Sequence, residues 1–130
     1  MRPAENKALI KKMGEAGTLE DALRLLADDV RWTVIGKTKF SGTYAGKQDL
    51  VNRLIVPLTS QLETMGTSMV DQVIADDDCV VVQSRVQGRR TKSGRDYNNT
   101  YCIVYRLVGG LVQEVTEYCD TELVTAAFGA

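Results

Sequence analysis

The sequence predicts one α+β domain over residues 1–130, a cone-shaped curved antiparallel sheet with N-terminal helices packed on its concave face. Helical periodicity dominates the first half of the chain, whereas β-rich segments joined by short turns fill the second half. The length of 130 residues is that of a single core. Helices that cover one face of a curled sheet leave a cavity at its open end, where small-molecule sites are usually found.

Two amphipathic helices are predicted before the first strand. Ile10 and Met13 are spaced so that they share one helical face. Thr18 stands three residues before Asp21, a spacing similar to a capping box, and a second helix is predicted to run from there to residues 28–29. Each helix therefore offers an apolar stripe to the sheet.

A strand, a loop and a longer helix follow. Residues 30–34 alternate apolar and polar side chains, which predicts a strand, and residues 36–46 contain three glycines, which indicates an irregular loop. From Lys47 onward, leucines recur every four residues and predict a helix; they are Leu50, Leu54, Leu58 and Leu62. Pro57 lacks a backbone donor, so a kink or break is expected there.

The second half of the chain is predicted to be a meander of four long strands followed by a short helix. The strands are residues 68–75, 79–88, 97–107 and 111–119, all rich in Val, Tyr, Thr or Ile. Turn-forming sequences separate them, so consecutive strands are expected to pair in antiparallel fashion. Residues 121–128 can form the last helix, for which Asp120 is expected to serve as the N-cap.

The composition excludes several kinds of catalysis. The chain has no histidine, so Ser-His-Asp and Cys-His mechanisms are excluded and acid–base chemistry must come from carboxylates, tyrosine, lysine or an arginine-assisted water. Cys79, Cys102 and Cys119 lack CxxC spacing, which is evidence against a disulfide framework or a zinc site. We therefore expect no metal and no cofactor.

Charge and hydropathy favour a cytoplasmic protein that binds neither nucleic acid nor membrane. The formal net charge of −1 gives no long-range attraction to either polyanion. The basic segment 85–95 is interpreted as a solvated hairpin tip, because it lacks interleaved aromatic residues. Apolar runs are only a few residues long, and the charged N-terminus lacks the apolar stretch of a signal peptide.

Three stretches, which together cover most of the chain, carry a family resemblance. They are residues 26–32 running on to Gly36, 41–44 and 46–47; residues 96–101 with 104–106; and residues 110–112 with 117–121. Their order and spacing resemble the SnoaL-like, ketosteroid-isomerase-related proteins of the nuclear-transport-factor-2-like superfamily. The resemblance implies a cone-shaped domain, usually a homodimer, in a group that includes polyketide cyclases, isomerases, epoxide hydrolases, dehydratases and non-catalytic binding domains.

The resemblance also implies which residues carry chemistry. In limonene epoxide hydrolases an Asp-Arg-Asp cluster activates water, and its members correspond here to Arg85, Gln87 and Glu117. The Tyr and Asn that assist the cluster correspond to Trp32 and Val34. Cyclases of the SnoaL type use one pocket carboxylate, a requirement that Glu117 meets. Glu117 and Arg85 are therefore the expected catalytic residues, although a purely structural ion pair between them is an equal alternative.

The expected substrate-binding residues surround this pair. Gln87, Asn99 and Tyr101 are expected to orient a ligand, although Asn99 and Tyr101 could instead satisfy each other within the sheet. The expected pocket walls are Trp32, Tyr44 and Val115, the last because it shares a strand face with Glu117. The predicted function is cofactor-independent acid–base chemistry of the cyclase, isomerase or epoxide-hydrolase type on a small apolar metabolite. The alternative is a domain that binds a hydrophobic molecule, or dimerises, without catalysis.

Overall fold

The computed structural model describes residues 2–130 and consists of short helices packed against a curved sheet. The helical elements are α1 (Pro3–Gly14), α2 (Leu19–Leu23), α3 (Lys47–Leu50), a π-helical turn (Val51–Ile55), α4 (Val56–Thr59) and α5 (Thr121–Phe128). The strands are β1 (Leu26–Val34), β2 (Gly42–Ala45), β3 (Leu62–Thr64), β4 (Thr67–Asp76), β5 (Cys79–Gln87), β6 (Arg90–Thr91), β7 (Thr100–Val108) and β8 (Leu111–Cys119).

Six strands form the main sheet, in the order β2-β1-β8-β7-β5-β4, and β3 pairs with β6 in a small second sheet. Strands β4, β5, β7 and β8 make the predicted antiparallel meander. Strand β1 runs parallel to β8, so the first strand closes against the last. The sheet is therefore mixed, with an antiparallel majority.

The concave face of the sheet holds the core. Helix α1 packs against β4 and β5 and buries Ile10, and the inward side chains of β5 include Val80 and Val82. Tyr105 of β7 lies opposite Val80 and is also buried. The predicted α+β architecture, with an N-terminal helix on the concave face, is confirmed.

The second helix is shorter than predicted. Helix α2 begins with the predicted Thr18 cap, whose hydroxyl accepts a hydrogen bond from the backbone N–H of Asp21, but it ends at Leu23 instead of residues 28–29. Strand β1 begins at Leu26, because pairing with β8 overrides the helical spacing of the leucines. The carbonyl of Leu25 accepts a hydrogen bond from the Val112 N–H, and Leu26 is buried as a strand residue.

The helical segment of residues 47–59 does not break at Pro57. The Val51–Ile55 segment is wound as a π-helix, in which the N–H of Val56 bonds to the carbonyl of Val51, and Pro57 then lies in the first turn of α4. Proline is tolerated in a first turn because no intrahelical donor is needed there. The expected kink is thus replaced by a change of helical winding one turn earlier.

Three further differences concern short strands and strand ends. The predicted loop of residues 36–46 contains β2, which pairs with β1, and β3 replaces the expected last helical turn at Leu62. Strand β7 begins at Thr100, not at residue 97, because the Tyr97 N–H bonds to the carbonyl of Arg89 in the hairpin instead of the main ladder.

None of the helices within residues 2–130 is both long and apolar enough to cross a membrane.

Two glycines pack against each other where the turn from β3 to β4 meets the turn from β5 to β6. Gly66 and Gly88 both have positive φ, 71° and 73°, and their backbones lie against each other. A Cβ added at Gly66 would lie 2.6 Å from the Arg89 nitrogen and against the carbonyl oxygen of Gln87. Both the φ angle and the close approach therefore require glycine at position 66.

Replacing Gly66 by alanine is expected to destabilise the fold. The left-handed backbone alone costs a residue with a Cβ about 1–3 kcal/mol, and the contact with the 87–89 backbone adds to this. Urea denaturation of G66A measures the change in the free energy of unfolding. The matched control is G17A, because a Cβ at Gly17 meets no atom within 4 Å. G17A should be as stable as wild type or more stable by up to about 1 kcal/mol, and a G66A variant equal to G17A would contradict the assignment.

Candidate functional site

A cavity of about 290 Å³ lies on the concave face, between the 47–59 helical segment and the sheet. The helical segment supplies four leucine or isoleucine side chains to its wall, Leu50, Leu54, Ile55 and Leu58. Val86 and Ile103 contribute apolar surface from the sheet. Most of the exposed surface of the cavity is apolar, as is usual for small-molecule pockets, and polar side chains interrupt it.

Glu117 is the acidic residue of this cavity. Strand β8 places it between Val34 of β1 and Ile103 of β7, its register partners on the two neighbouring strands. The indole Nε1–H of Trp32 donates a hydrogen bond to Oε1 of Glu117 at 3.3 Å. No residue among 2–130 donates a hydrogen bond to Oε2, so this oxygen is available to a ligand.

Burial raises the pKa of the Glu117 carboxyl above its ordinary value of 4.5. The cause is desolvation, because the apolar wall replaces the water that would stabilise the carboxylate. The Trp32 hydrogen bond and the positive charge of Arg89 oppose this rise in part. The Glu117 carboxylate is therefore a stronger base than an ordinary glutamate in water.

The expected pairing of Arg85 with Glu117 is wrong. The β5 residues that point to the concave face are Val80, Val82, Ser84 and Val86, so Arg85 points to the convex face. Its Nε lies 3.1 Å from Oδ1 of Asp71, and 45% of its side chain is exposed. Arg85 forms a surface ion pair across β4 and β5 and does not reach the cavity.

Gln87 points to the same face of β5 as Arg85, so the prediction that it orients a ligand is also wrong. It is exposed, lies opposite Thr67 on the edge strand β4 and does not line the cavity. The residues that correspond to the epoxide-hydrolase cluster therefore lie on opposite faces of the sheet. Glu117 lies inside the cone, whereas Arg85 and Gln87 lie outside it.

Arg89 is the basic residue that the sequence interpretation missed. It lines the cavity, its Nε donates a hydrogen bond to the carbonyl of Met65 at 2.7 Å, and its charge acts on Glu117. Strict alternation would send Arg89 to the convex face with Arg85 and Gln87. The left-handed conformation of Gly88 breaks that alternation and turns Arg89 toward the cavity mouth.

Tyr101 lines the cavity from β7, opposite Ser84 of β5. Its pKa is raised, first by desolvation and then by the neighbouring Tyr97. The hydroxyl therefore stays protonated and can donate a hydrogen bond to a ligand oxygen. Tyr101 pairs with Cys119 and Ile103 pairs with Glu117, so Tyr101 and Glu117 are diagonal neighbours on adjacent strands.

Asn99, an expected substrate-binding residue, is a structural link and does not line the cavity. It is fully buried, and its amide donates to the carbonyl of Asp120 and to the Tyr97 hydroxyl. Its Oδ1 accepts from the backbone N–H groups of Thr100 and Asp120. With both donors and both acceptor positions used by the protein, Asn99 has nothing left for a ligand. It fixes the start of α5, whose N-cap is Asp120 as predicted.

Two of the three expected pocket walls belong to the core. Tyr44 is 3% exposed and donates its hydroxyl to the carbonyl of Phe40 at 2.6 Å, while Val115 is 2% exposed between Trp32 and Tyr105. Neither lines the cavity, whereas Trp32 does. Val115 shares the concave face with Glu117, as its strand spacing predicts, but it is covered by its neighbours.

Residues 9–115 match the protein family that is described as the SnoaL-like domain. The chain belongs to the SnoaL-like domain family. A comparison with curated proteins finds no match.

Solved structures share the fold of this SnoaL-like domain at low identity. An NTF2-like protein of Burkholderia thailandensis superposes with a TM-score of 0.82 at 19% identity, over 98% of each chain. An NTF2-like protein of Burkholderia xenovorans gives a TM-score of 0.76 at 21% identity, also over 98% of each chain. TerC, co-crystallised with polyporic acid, gives a TM-score of 0.79 at 18% identity over 97% of this chain and 99% of its own.

Replacing Glu117 by glutamine is expected to stabilise the protein at neutral pH. Below the ordinary glutamate pKa the carboxyl is protonated in both folded and unfolded chains, so burial carries no charge penalty. As the pH rises, the unfolded chain loses this proton first, and the wild type loses stability up to the raised pKa of the folded state. Thermal unfolding of E117Q should therefore give a higher Tm than wild type at pH 7, with the difference vanishing below about pH 4.

The control for this measurement is E114Q, on the opposite face of the same strand. Arg106 donates a hydrogen bond to Glu114 and thereby lowers the pKa of that exposed carboxyl. E114Q should therefore show no gain in Tm at pH 7. An E117Q variant that is less stable than wild type at pH 7 and unchanged at low pH would mean that the carboxylate is stabilised by its surroundings.

Proposed function

We propose that this SnoaL-like domain is a cofactor-independent enzyme that moves a proton on a small, mainly apolar carbonyl compound, with Glu117 as the acid–base group. The observation that carries the proposal is the position of Glu117 in an apolar cavity, with one oxygen held by Trp32 and the other free. A desolvated carboxylate of raised pKa is a stronger base than one in water, which suits it to take a proton from carbon.

The surrounding side chains supply the other parts of a proton transfer. Glu117 takes a proton from the carbon next to the substrate carbonyl, and negative charge develops on the carbonyl oxygen. The Tyr101 hydroxyl, kept protonated by its raised pKa, donates a hydrogen bond to that oxygen. Return of the proton from Glu117 to another carbon or oxygen gives an isomerisation. Attack of the carbanion on a second carbonyl of the same molecule closes a ring, as the π bond of that carbonyl breaks and its oxygen takes the proton from Glu117.

Trp32 and Arg89 have supporting roles in this proposal. Trp32 fixes the rotamer of the carboxylate through Oε1 and so directs Oε2 toward the substrate. Arg89, held at the mouth by its bond to the Met65 carbonyl, limits the rise in the Glu117 pKa and attracts the oxygen-bearing end of a ligand. Carbonyl chemistry is favoured over epoxide hydrolysis because Arg85 and Gln87, which correspond to members of the water-activating cluster, point away from the cavity.

A binding domain without catalysis is the second candidate. The observation in its favour is that Glu117 is the one carboxylic acid among the residues that line the cavity within the described part of the chain. A ligand with a carbonyl group would then simply accept hydrogen bonds from Tyr101 and from Glu117 when it is protonated. TerC was co-crystallised with polyporic acid, which supports a small-molecule ligand for this fold in either case.

The proposed proton transfer is tested by hydrogen–deuterium exchange at the α-carbons of a panel of cyclic ketones, methyl ketones and 1,3-diketones in D₂O, followed by NMR. E117Q should lose exchange catalysis by about 10²–10⁴-fold, the usual contribution of a general base. The wild-type rate should rise with pH through a midpoint above 4.5, because the deprotonated carboxylate is the active form. E114Q, on the convex face, should exchange at the wild-type rate.

Two results would decide against catalysis. Equal exchange by wild type and E117Q would remove Glu117 from the mechanism. Ketones that bind to wild type without any accelerated exchange would favour the binding domain. The expected homodimer stays a prediction, to which the exposed Ile74 and Tyr118 side chains on the convex face lend support.

A further inference from the structure

A second cavity, of about 520 Å³, lies beneath helix α1. Its walls are Ile10 and Met13 from the helix and Val73, Val82 and Tyr105 from β4, β5 and β7. It opens to solvent at the edge of the sheet, where the side chain of Val70 is 61% exposed and Gly14 ends the helix. The proton-transfer site described above does not use this cavity.

The two cavities are adjacent inside the cone. Ser68, Ser84 and Ile103 line both of them, so the space in front of Glu117 and the space beneath α1 share these three side chains as a common boundary. A ligand that displaces these side chains slightly joins the two spaces into one passage. The first cavity alone is at the lower edge of the roughly 300–1,000 Å³ that pockets for drug-sized ligands occupy, and the two together fall well within that range. The passage therefore has room for a ligand that extends well beyond the reacting group.

The passage has a polar end and an apolar end. The charged and aromatic hydrogen-bonding groups Glu117, Trp32, Tyr101 and Arg89 all lie in the first cavity. In the second cavity the charged residues Lys11 and Glu15 stand on the exposed rim. The interior is mainly aliphatic, and its polar groups are the hydroxyls of Tyr105 and of the two shared serines. A ligand that fits this distribution has its oxygen at one end and hydrocarbon over the rest of its length.

We infer that the ligand of this protein is an elongated amphiphile, a carbonyl or hydroxyl group carried on a hydrocarbon chain. The oxygen lies at Glu117 and Tyr101, and the chain runs past Ser84 and Ile103 into the cavity beneath α1. This orientation rests on the proposed function, because it places the reacting carbon at Glu117. Burial of the chain against aliphatic walls supplies most of the affinity, since each methylene removed from water contributes favourably.

The test is a chain-length series of methyl ketones, from 2-hexanone to 2-decanone. Trp32 is the single tryptophan of the chain, so its indole N–H gives one resonance in a ¹⁵N-correlated spectrum, and its shift during titration gives the Kd at the polar end. In wild type each added methylene should lower the Kd by up to about fourfold, the effect of burying one CH₂ group. The series should level off when the chain reaches the mouth at Val70.

Two variants obstruct the second cavity and one serves as the control. V73F adds bulk to its floor, and G14F adds bulk from the helix side, where a Cβ meets no atom within 4 Å and folding should be unaffected. In both, the Kd of 2-hexanone should stay within about twofold of wild type, while that of 2-decanone should weaken tenfold or more, because its distal methylenes lose their site. I74F changes the neighbouring residue on the convex face and should match wild type throughout.

The inference is overturned if V73F and G14F keep the wild-type gain per methylene, or if wild type shows no gain with chain length. Its failure can be told apart from failure of the proposed function by measuring α-carbon exchange on the same ketones. If α-carbon exchange depends on Glu117 but the Kd does not change with chain length, the proton transfer stands and the binding of the chain beneath α1 is overturned. If the Kd of E117Q changes with chain length but wild type catalyses no exchange, the binding of the chain stands and the proton transfer is overturned.

Discussion

The position of Glu117 is energetically unfavourable for a charged carboxylate, because the concave face of the sheet and the 47–59 helical segment exclude most of the water around it. One hydrogen bond, from the indole of Trp32, and the nearby charge of Arg89 compensate only in part. The parallel pairing of β1 with β8 makes this contact possible, since it brings Trp32 of the first strand beside Val115 of the last strand, two residues before Glu117. The shape of the sheet and the chemistry of the cavity therefore depend on the same strand pair.

The fold could be predicted from the sequence to a large extent, because it is encoded by local periodicity. Alternation along residues 79–87 and 111–119 and the leucine spacing after Lys47 correspond to real elements. The errors came where pairing or winding overrode local preference. Leu26 joins β1 because β8 offers hydrogen bonds, and a π-helical turn accommodates Pro57 without a break.

The site was predictable only in part. Glu117, Trp32 and Tyr101 were expected at the ligand, and all three line the cavity, because alternation and family likeness agree at those positions. Arg85 was one residue away from an inward position, and a shift of one residue reverses the face of a strand side chain. Arg89 was missed because its direction depends on the positive φ of Gly88, which a sequence does not display. Asn99 has the amide group of a ligand-binding residue, yet two of its four hydrogen bonds go to the backbone of Asp120, 21 residues later, which a local pattern does not show.

The desolvated state of Glu117 is the claim on which the acid–base proposal depends, and it can be measured directly. A ¹³C NMR pH titration of the glutamate δ-carbons, with the Glu117 signal assigned by its loss in E117Q, gives the pKa of each carboxyl. The structure predicts that the Glu117 carboxyl titrates above 4.5, while Glu114 titrates below it because Arg106 stabilises its charged form. A Glu117 pKa at or below 4.5 would mean that water or positive charge reaches the carboxylate, and it would contradict the account.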